Sequence, residues 1–271
     1  MSDKTQRTVG SAALLLGFAV LYFICLLTAL HAVGTDDALY YREQMAANVL
    51  PETGISDEDL RTLDGELASY LAGRDNELTL PMESEPDGYT VLTMQVFGEL
   101  QPAFNEREMT HLEDCKALFA LLRKVHRRLI PWAVLLLVGG GYLLRDRGRI
   151  RRMAWLSPLV LLVPLGLLAL WAALDFDAAF VAYHRVLFSN DLWLLDPRTD
   201  LLIRICPQSM FAHMGLRIAL ATLAALIAIP ALVTVLTKII PRAKEETTWN
   251  NRDMRRASAQ KQISFGPGAK R

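Results

Sequence analysis

The run Leu129-Ile-Pro-Trp-Ala-Val-Leu-Leu-Leu-Val-Gly-Gly-Gly-Tyr-Leu-Leu144, the link Arg145-Asp-Arg-Gly-Arg-Ile-Arg-Arg152 and the second apolar run from Met153 to Leu174 decide the fold. Two uncharged stretches flank eight residues that carry five arginines. At about 1.5 Å rise per residue, roughly 20 helical residues cross a hydrocarbon layer about 30 Å thick. The second run is long enough. The first is short, so its helix is expected to begin upstream. Working outward, Ala12 to Val33 is a nearly unbroken apolar run and Leu216 to Ile240 is a fourth. Ala12 to Val33 is longer than the apolar core of a secretory signal, and Leu30-His31-Ala32 lacks the small-x-small cleavage pattern, so it reads as a retained anchor.

Composition agrees. Of 271 residues 52% are hydrophobic, the 29 Lys and Arg balance the 29 Asp and Glu, and charge is segregated from the apolar runs. The mean hydropathy is +0.23. This is the pattern of a multi-pass membrane protein. A net charge of zero gives no basic face for a nucleic acid. Cys25, Cys115 and Cys206 are too few and too scattered for a disulfide framework or a metal motif, and a Cys115–Cys206 bridge stays open.

Positive charge sets the orientation. The Arg145–Arg152 link, Lys4 and Arg7 before the first span, and Lys238, Arg242 and Lys244 at the end of the fourth place both termini and the link in the cytoplasm of a plasma-membrane protein. Arg123, Lys124, Arg127 and Arg128 lie on the other side, but the 34–128 segment is long, and long segments translocate regardless of charge. The expected architecture is a mainly α, four-transmembrane-helix bundle with a small mixed α/β extracytoplasmic domain. Its parts are the N-terminus and first span (1–33), an extracytoplasmic α/β domain (34–128), the second and third spans with their link (129–174), an extracytoplasmic loop with short helices (175–214), the fourth span (215–241) and a disordered cytoplasmic tail (242–271).

Within the outer segment, Ser56-Asp57-Glu58-Asp59 is a capping box, and Leu60, Leu63, Leu67 and Leu71 follow at helical spacing. Pro81 to Gly88 is turn-rich. Tyr89 to Phe97 reads as a strand that Glu77 to Leu80 can pair with. Asn105-Glu-Arg-Glu108 opens a helix that runs on into the second span.

On that helix His111, Asp114 and Cys115 share one face. In the later loop Phe176, Phe180, His184 and Leu187 recur at helical spacing, so His184 lies on the apolar side, where burial would keep it neutral. Asn190 and Asp191 follow where this helix should end. Asp196-Pro197 predicts a further helix, with Asp as N-cap and Pro at N1. Trp193, Leu194 and Leu195 read as an interfacial anchor, and His31 at the outer end of the first span can approach the same site. Arg204 either binds a lipid headgroup or snorkels, and His126 and His213 read as structural. Gly139-Gly140-Gly141 suits close packing of helices. No GxSxG elbow, P-loop, HExxH or dinucleotide turn is present.

Phe104-Asn-Glu-Arg-Glu-Met-Thr-His-Leu-Glu-Asp114, together with Tyr183-His184, Asn190-Asp191-Leu-Trp-Leu-Leu-Asp-Pro197 and Leu201-Leu-Ile-Arg204, resembles the lipoprotein intramolecular transacylases, bacterial four-span membrane proteins. The topology agrees up to about Arg242, whereas Cys115, where an aliphatic residue is expected, and the long tail depart from the pattern. The resemblance implies transfer of the sn-2 acyl chain of a diacylglyceryl lipoprotein to the α-amino group of its N-terminal cysteine. It implies His111 and His184 as the catalytic pair on the extracytoplasmic face.

That chemistry suits the residues. The nucleophile is the substrate's amine, with a pKa of about 8, so the enzyme supplies proton handling rather than a serine or cysteine. His184 is expected as base and His111 as acid or polariser, with Asp114 or Asp191 orienting one imidazole. Asn190 or Arg204 would donate to the oxyanion, and Tyr183, Asn190 and Arg204 are the expected substrate-binding residues. Cys115 as an acyl-bearing nucleophile is a minor variant. No cofactor or metal is expected. The partners are diacylglyceryl lipoproteins and membrane lipid, and a monomer is expected. The rival readings are a metal-dependent membrane hydrolase built on the same histidines and acids, and a non-enzymatic lipid- or partner-binding protein.

Overall fold

A computed structural model describes residues 2–74, 93–96 and 99–239. The first span is helix α1, Asp3–Val33, capped by Ser2, whose hydroxyl accepts the Thr5 N–H. Three shorter helices follow: α2 (Asp37–Ala46), α3 (Val49–Thr53) and α4 (Asp57–Ala72). The Ser56 hydroxyl accepts the Asp59 N–H to start α4, and Gly73 stops it with a φ of 68°, a left-handed conformation that costs glycine little. Leu60, Leu63, Leu67 and Leu71 are all buried, as their spacing predicts. They join Tyr40, Val49 and Ile55 in an apolar core.

Strands β1 (Thr93–Val96) and β2 (Glu99–Pro102) form an antiparallel hairpin, Thr93 opposite Pro102. The predicted strand is therefore present over its described part, but its partner follows it in the chain. Glu77–Leu80, the Pro81–Gly88 turn and the tail from residue 240 lie outside the described residues. The described residues between the first two spans are mainly helical, with this one short ribbon.

Helix α5 runs from Glu106 to Leu144, 39 residues or about 58 Å. This is almost twice what a bilayer core requires, which resolves the short apolar run: only the part after Arg128 is uncharged, and about six turns, residues 106–128, precede it. A full capping box starts α5, with the Asn105 carboxamide accepting the Glu108 N–H and the Glu108 carboxylate accepting the Asn105 N–H. Helices α1 and α5 pack without room for side chains at three points. A Cβ on Gly140 would lie 2.9 Å from the Leu14 backbone nitrogen, one on Gly17 3.0 Å from Leu136 Cβ and one on Gly10 3.1 Å from Leu143 Cβ. Of the triplet, Gly140 alone meets α1, and Gly139 and Gly141 face open space.

The third span is broken. Helix α6 (Arg147–Leu156) passes to α7 (Pro158–Leu174) at Ser157-Pro158, because Pro158 has no N–H for the helical ladder. Helix α8 (Phe176–Leu187) matches the predicted amphipathic helix. Asp196-Pro197 does not open the next helix. Asp200 accepts the Asp196 N–H at 2.7 Å and donates its own N–H to the Asp196 carbonyl at 2.8 Å, closing a turn, and α9 begins only at Leu201 and ends at Ile205. Helix α10, Gln208–Ile239, carries the fourth span. Residues from Thr234 onward form a separate unit, described to Ile239. Four helical segments are thus long and apolar enough to cross a membrane. Exposed leucines such as Leu135, Leu167 and Leu170 give them the outward apolar face that lipid requires.

Candidate active site

Two helices bring the two histidines together. His111 lies on the second turn of α5 and His184 near the end of α8, with ring centroids 6.2 Å apart. Both are buried, at 7% and 8% exposure. His184 sits in a cage of rings: Phe180 at 4.1 Å, Trp193 at 4.9 Å, Tyr183 at 5.1 Å and Phe188 at 5.6 Å between centroids. The Phe188 ring also meets His111 edge-on at 5.0 Å. Trp193, expected as an interfacial anchor, is instead a buried wall of this cage, and Leu194 beside it is exposed.

Burial sets the protonation of both rings. His111, which stands outside the apolar part of α5, is lowered to about 4, first by desolvation and then by the facing His184, against a weaker opposing pull from Asp114. His184 is lowered by desolvation, partly offset by its bond to the Phe180 carbonyl. Nδ1 of a neutral His184 donates to that carbonyl at 2.8 Å, which leaves Nε2 with the free lone pair. Nε2 of His111 lies 3.7 Å from Cys115 Sγ, and its Nδ1 is buried without a partner. The same burial pushes the Cys115 thiol up to about 12, so it stays protonated and is poorly suited to act as a nucleophile.

The carboxylates take other roles than the orientation of an imidazole. Asp114 accepts from the Asn190 carboxamide at 2.8 Å, and Asn190 in turn accepts the Leu192 N–H at 3.1 Å. Asp191 contributes its backbone carbonyl, which accepts from Arg107 at 2.6 Å, while its side chain is exposed. Arg204 donates to the Glu52 carbonyl at 2.5 Å, joining α9 to α3. His31 packs edge-on against Phe119, His126 pairs with the Thr28 hydroxyl and His213 with Glu43. The three cysteines are free thiols. Among the described residues no three His, Cys, Asp or Glu side chains converge as a metal site.

A cleft of about 180 Å³ adjoins the histidines, lined by Asp114, Ala117, Leu118, Leu187, Phe188, Ser189 and Asn190. Sequence reasoning missed one further residue, Glu108. It is 1% exposed, and its carboxylate accepts both the Asn105 N–H at 2.8 Å and the Leu202 N–H at 2.6 Å. It thereby fixes α9 to the start of α5, two residues before the turn that carries His111. Its place as the acid of the capping box was legible; its second bond, to a residue far along the chain, was not.

Comparison with known proteins gives a consistent result. The family described as lipoprotein intramolecular transacylase Lit matches residues 15–211. No curated protein matches the chain. Among solved structures, the membrane integral lipoprotein intramolecular transacylase of Bacillus cereus is 25% identical, with 87% of this chain and 96% of that one covered and a TM-score of 0.57. A variant of that protein with one histidine replaced by alanine is 24% identical, over 87% and 94% of the two chains, with a TM-score of 0.55.

Proposed function

The chain belongs to the lipoprotein intramolecular transacylase family and is an integral membrane enzyme, and from that premise we propose that His184 and His111 catalyse the transfer. The substrate is a lipoprotein whose N-terminal cysteine carries a diacylglyceryl group. Its α-amine attacks the sn-2 ester carbonyl, so that a C–N bond forms and the glyceryl C–O bond breaks. One proton passes from nitrogen to the glyceryl oxygen, and nothing else is consumed or released. The product is an N-acyl lyso-lipoprotein.

The observation that carries this reading is the pairing of two neutral, buried imidazoles with different free nitrogens. His184 offers the Nε2 lone pair and serves as base for the amine. The protonated Cys115 thiol is suited to donate to Nε2 of His111, which leaves Nδ1–H unspent in a site with no other partner for it. That donor serves the developing oxyanion and then the leaving glyceryl oxygen. At neutral pH about a tenth of the substrate amine is uncharged, and an intramolecular nucleophile gains the rest of its advantage from proximity.

The site faces the side opposite the Arg-rich link. Gln6 donates to the Leu143 carbonyl at 3.1 Å, which puts the N-terminus beside the far end of α5, about 48 Å along the helix from His111. With the cationic end in the cytoplasm, the histidines stand outside, in the compartment where lipoproteins are displayed. Tyr183, whose ring meets His184 edge-on, is itself exposed and opens the site to acyl chains arriving from the bilayer. The test is expression in a host that makes diacylated lipoproteins, followed by mass spectrometry of a model lipoprotein's N-terminal peptide. Transfer of an acyl chain from glycerol to nitrogen, lost in His111→Ala and His184→Ala, is expected. An unchanged peptide despite confirmed membrane expression overturns the reading.

A further inference from the structure

Within the transacylase reading, on which the inference rests, we propose that Asp114 is the anchor for the substrate's α-ammonium group and that the cleft below it receives one acyl chain. Asp114, Ala117 and Leu118 are three and four residues apart on α5, so they line one face that descends toward the membrane-spanning part of the helix. The face changes from carboxylate to apolar in that direction. Leu187 and Phe188 form the opposite apolar wall, and Phe188 is the ring that also touches His111 and His184. A lipoprotein N-terminus has the same polarity: a cation at the cysteine nitrogen, hydrocarbon a few atoms away. The cleft is matched to it in charge and in order.

The carboxylate is prepared for a cation. Oδ2 of Asp114 accepts from the Asn190 carboxamide at 2.8 Å, and Asn190 is itself fixed by the Leu192 N–H, so the group is held in place by a neutral donor. Asn190 is thus a positioning residue for Asp114. An anion beside the nitrogen stabilises positive charge both on the bound ammonium and on the nitrogen as it attacks the ester, so it strengthens ground-state and transition-state binding alike and not the rate of attack. Its loss should appear in KM and leave kcat nearly alone.

Binding of two dipalmitoylglyceryl-cysteinyl peptides, one with a free α-amine and one N-acetylated, is measured in a His184→Ala background, which prevents turnover. The free amine is expected to bind on the order of tenfold more tightly, as a charge-assisted bond would give. Asp114→Asn should reduce the preference to about one, and Asp114→Glu should keep part of it. With His184 restored, Asp114→Asn is expected to raise KM about tenfold, with kcat within about twofold of the parent. An unchanged preference in Asp114→Asn overturns the anchor while transfer by the parent enzyme stands. A parent chain that neither transfers nor retains the free-amine peptide overturns the transacylase reading and the anchor with it.

Discussion

The rings of His111 and His184 lie 6.2 Å apart between centroids, and each is buried, but only His184 has a nitrogen tied to the backbone. If the two act on one proton path, removing either stops it. His111→Ala and His184→Ala are each expected to lower kcat/KM by about 10²- to 10⁴-fold, and the double variant to be little worse than either alone. Rates of lipopeptide N-acylation check this, alongside melting curves that confirm each variant is folded. Losses that multiply in the double variant would mean that the histidines act separately.

The pH dependence separates these histidines from exposed ones. A base must be neutral, and a lowered pKa keeps it neutral as pH falls through the usual histidine range. With His111 at about 4 and His184 also lowered, the ionisation at the site between about pH 6.5 and 8 is that of the substrate amine. Log kcat/KM should therefore rise by about one unit per pH unit over that window and level off near pH 8. An inflection near 6.5 would show that an ordinary, solvated histidine limits the rate.

Local signals in the sequence were reliable where the chain itself supplies the partner. The capping box at Asn105, the leucines of α4 and the histidine on the apolar side of α8 could be read because each depends on residues three or four apart. The break at Ser157-Pro158 and the turn at Asp196 depend on competition. Asp196-Pro197 has the residues of a helix start, but the Asp200 carboxylate accepts the Asp196 N–H and closes a turn there, so the helix is deferred to Leu201. Long-range bonds were not legible at all. Nothing in Glu108 points to Leu202, nothing in Arg204 to Glu52, and Asp114 meets Asn190 rather than His111, which is its neighbour on the helix.

Asp64 makes a prediction about stability away from the histidines. It is buried on α4, accepts from the Gln44 carboxamide at 2.9 Å, and leaves its second oxygen and the Gln44 oxygen without partners. Desolvation raises its carboxyl to about 7, with the Gln44 bond opposing. Since the folded value lies above the unfolded one, folding favours the protonated acid. That stability is complete below about pH 4 and is lost as pH rises through 7. Asp64→Asn keeps the shape and removes the charge, and should raise the melting temperature by on the order of 5 °C at pH 8 with little effect at pH 4. A variant that melts lower at both pH values would show that the ionised carboxylate is stabilising.

Trp193 ties the cage to the pH profile. Its ring is stacked on His184 at 4.9 Å with an angle of 27° between planes, and at 8% exposure it closes the cage against water. Desolvation is the main cause of the lowered His184 pKa, so opening this wall should raise it toward the ordinary value. Trp193→Ala is expected to bring an inflection near pH 6.5 into the kcat/KM profile and to lower the plateau rate through the looser ring. Trp193→Phe, which restores most of the stacked surface, should shift the profile less. The comparison separates two causes that an activity assay at one pH would merge. If Trp193→Ala lowers the rate by the same factor at every pH, the indole only positions the imidazole. If the factor grows as pH falls below about 6.5, the indole also keeps His184 neutral.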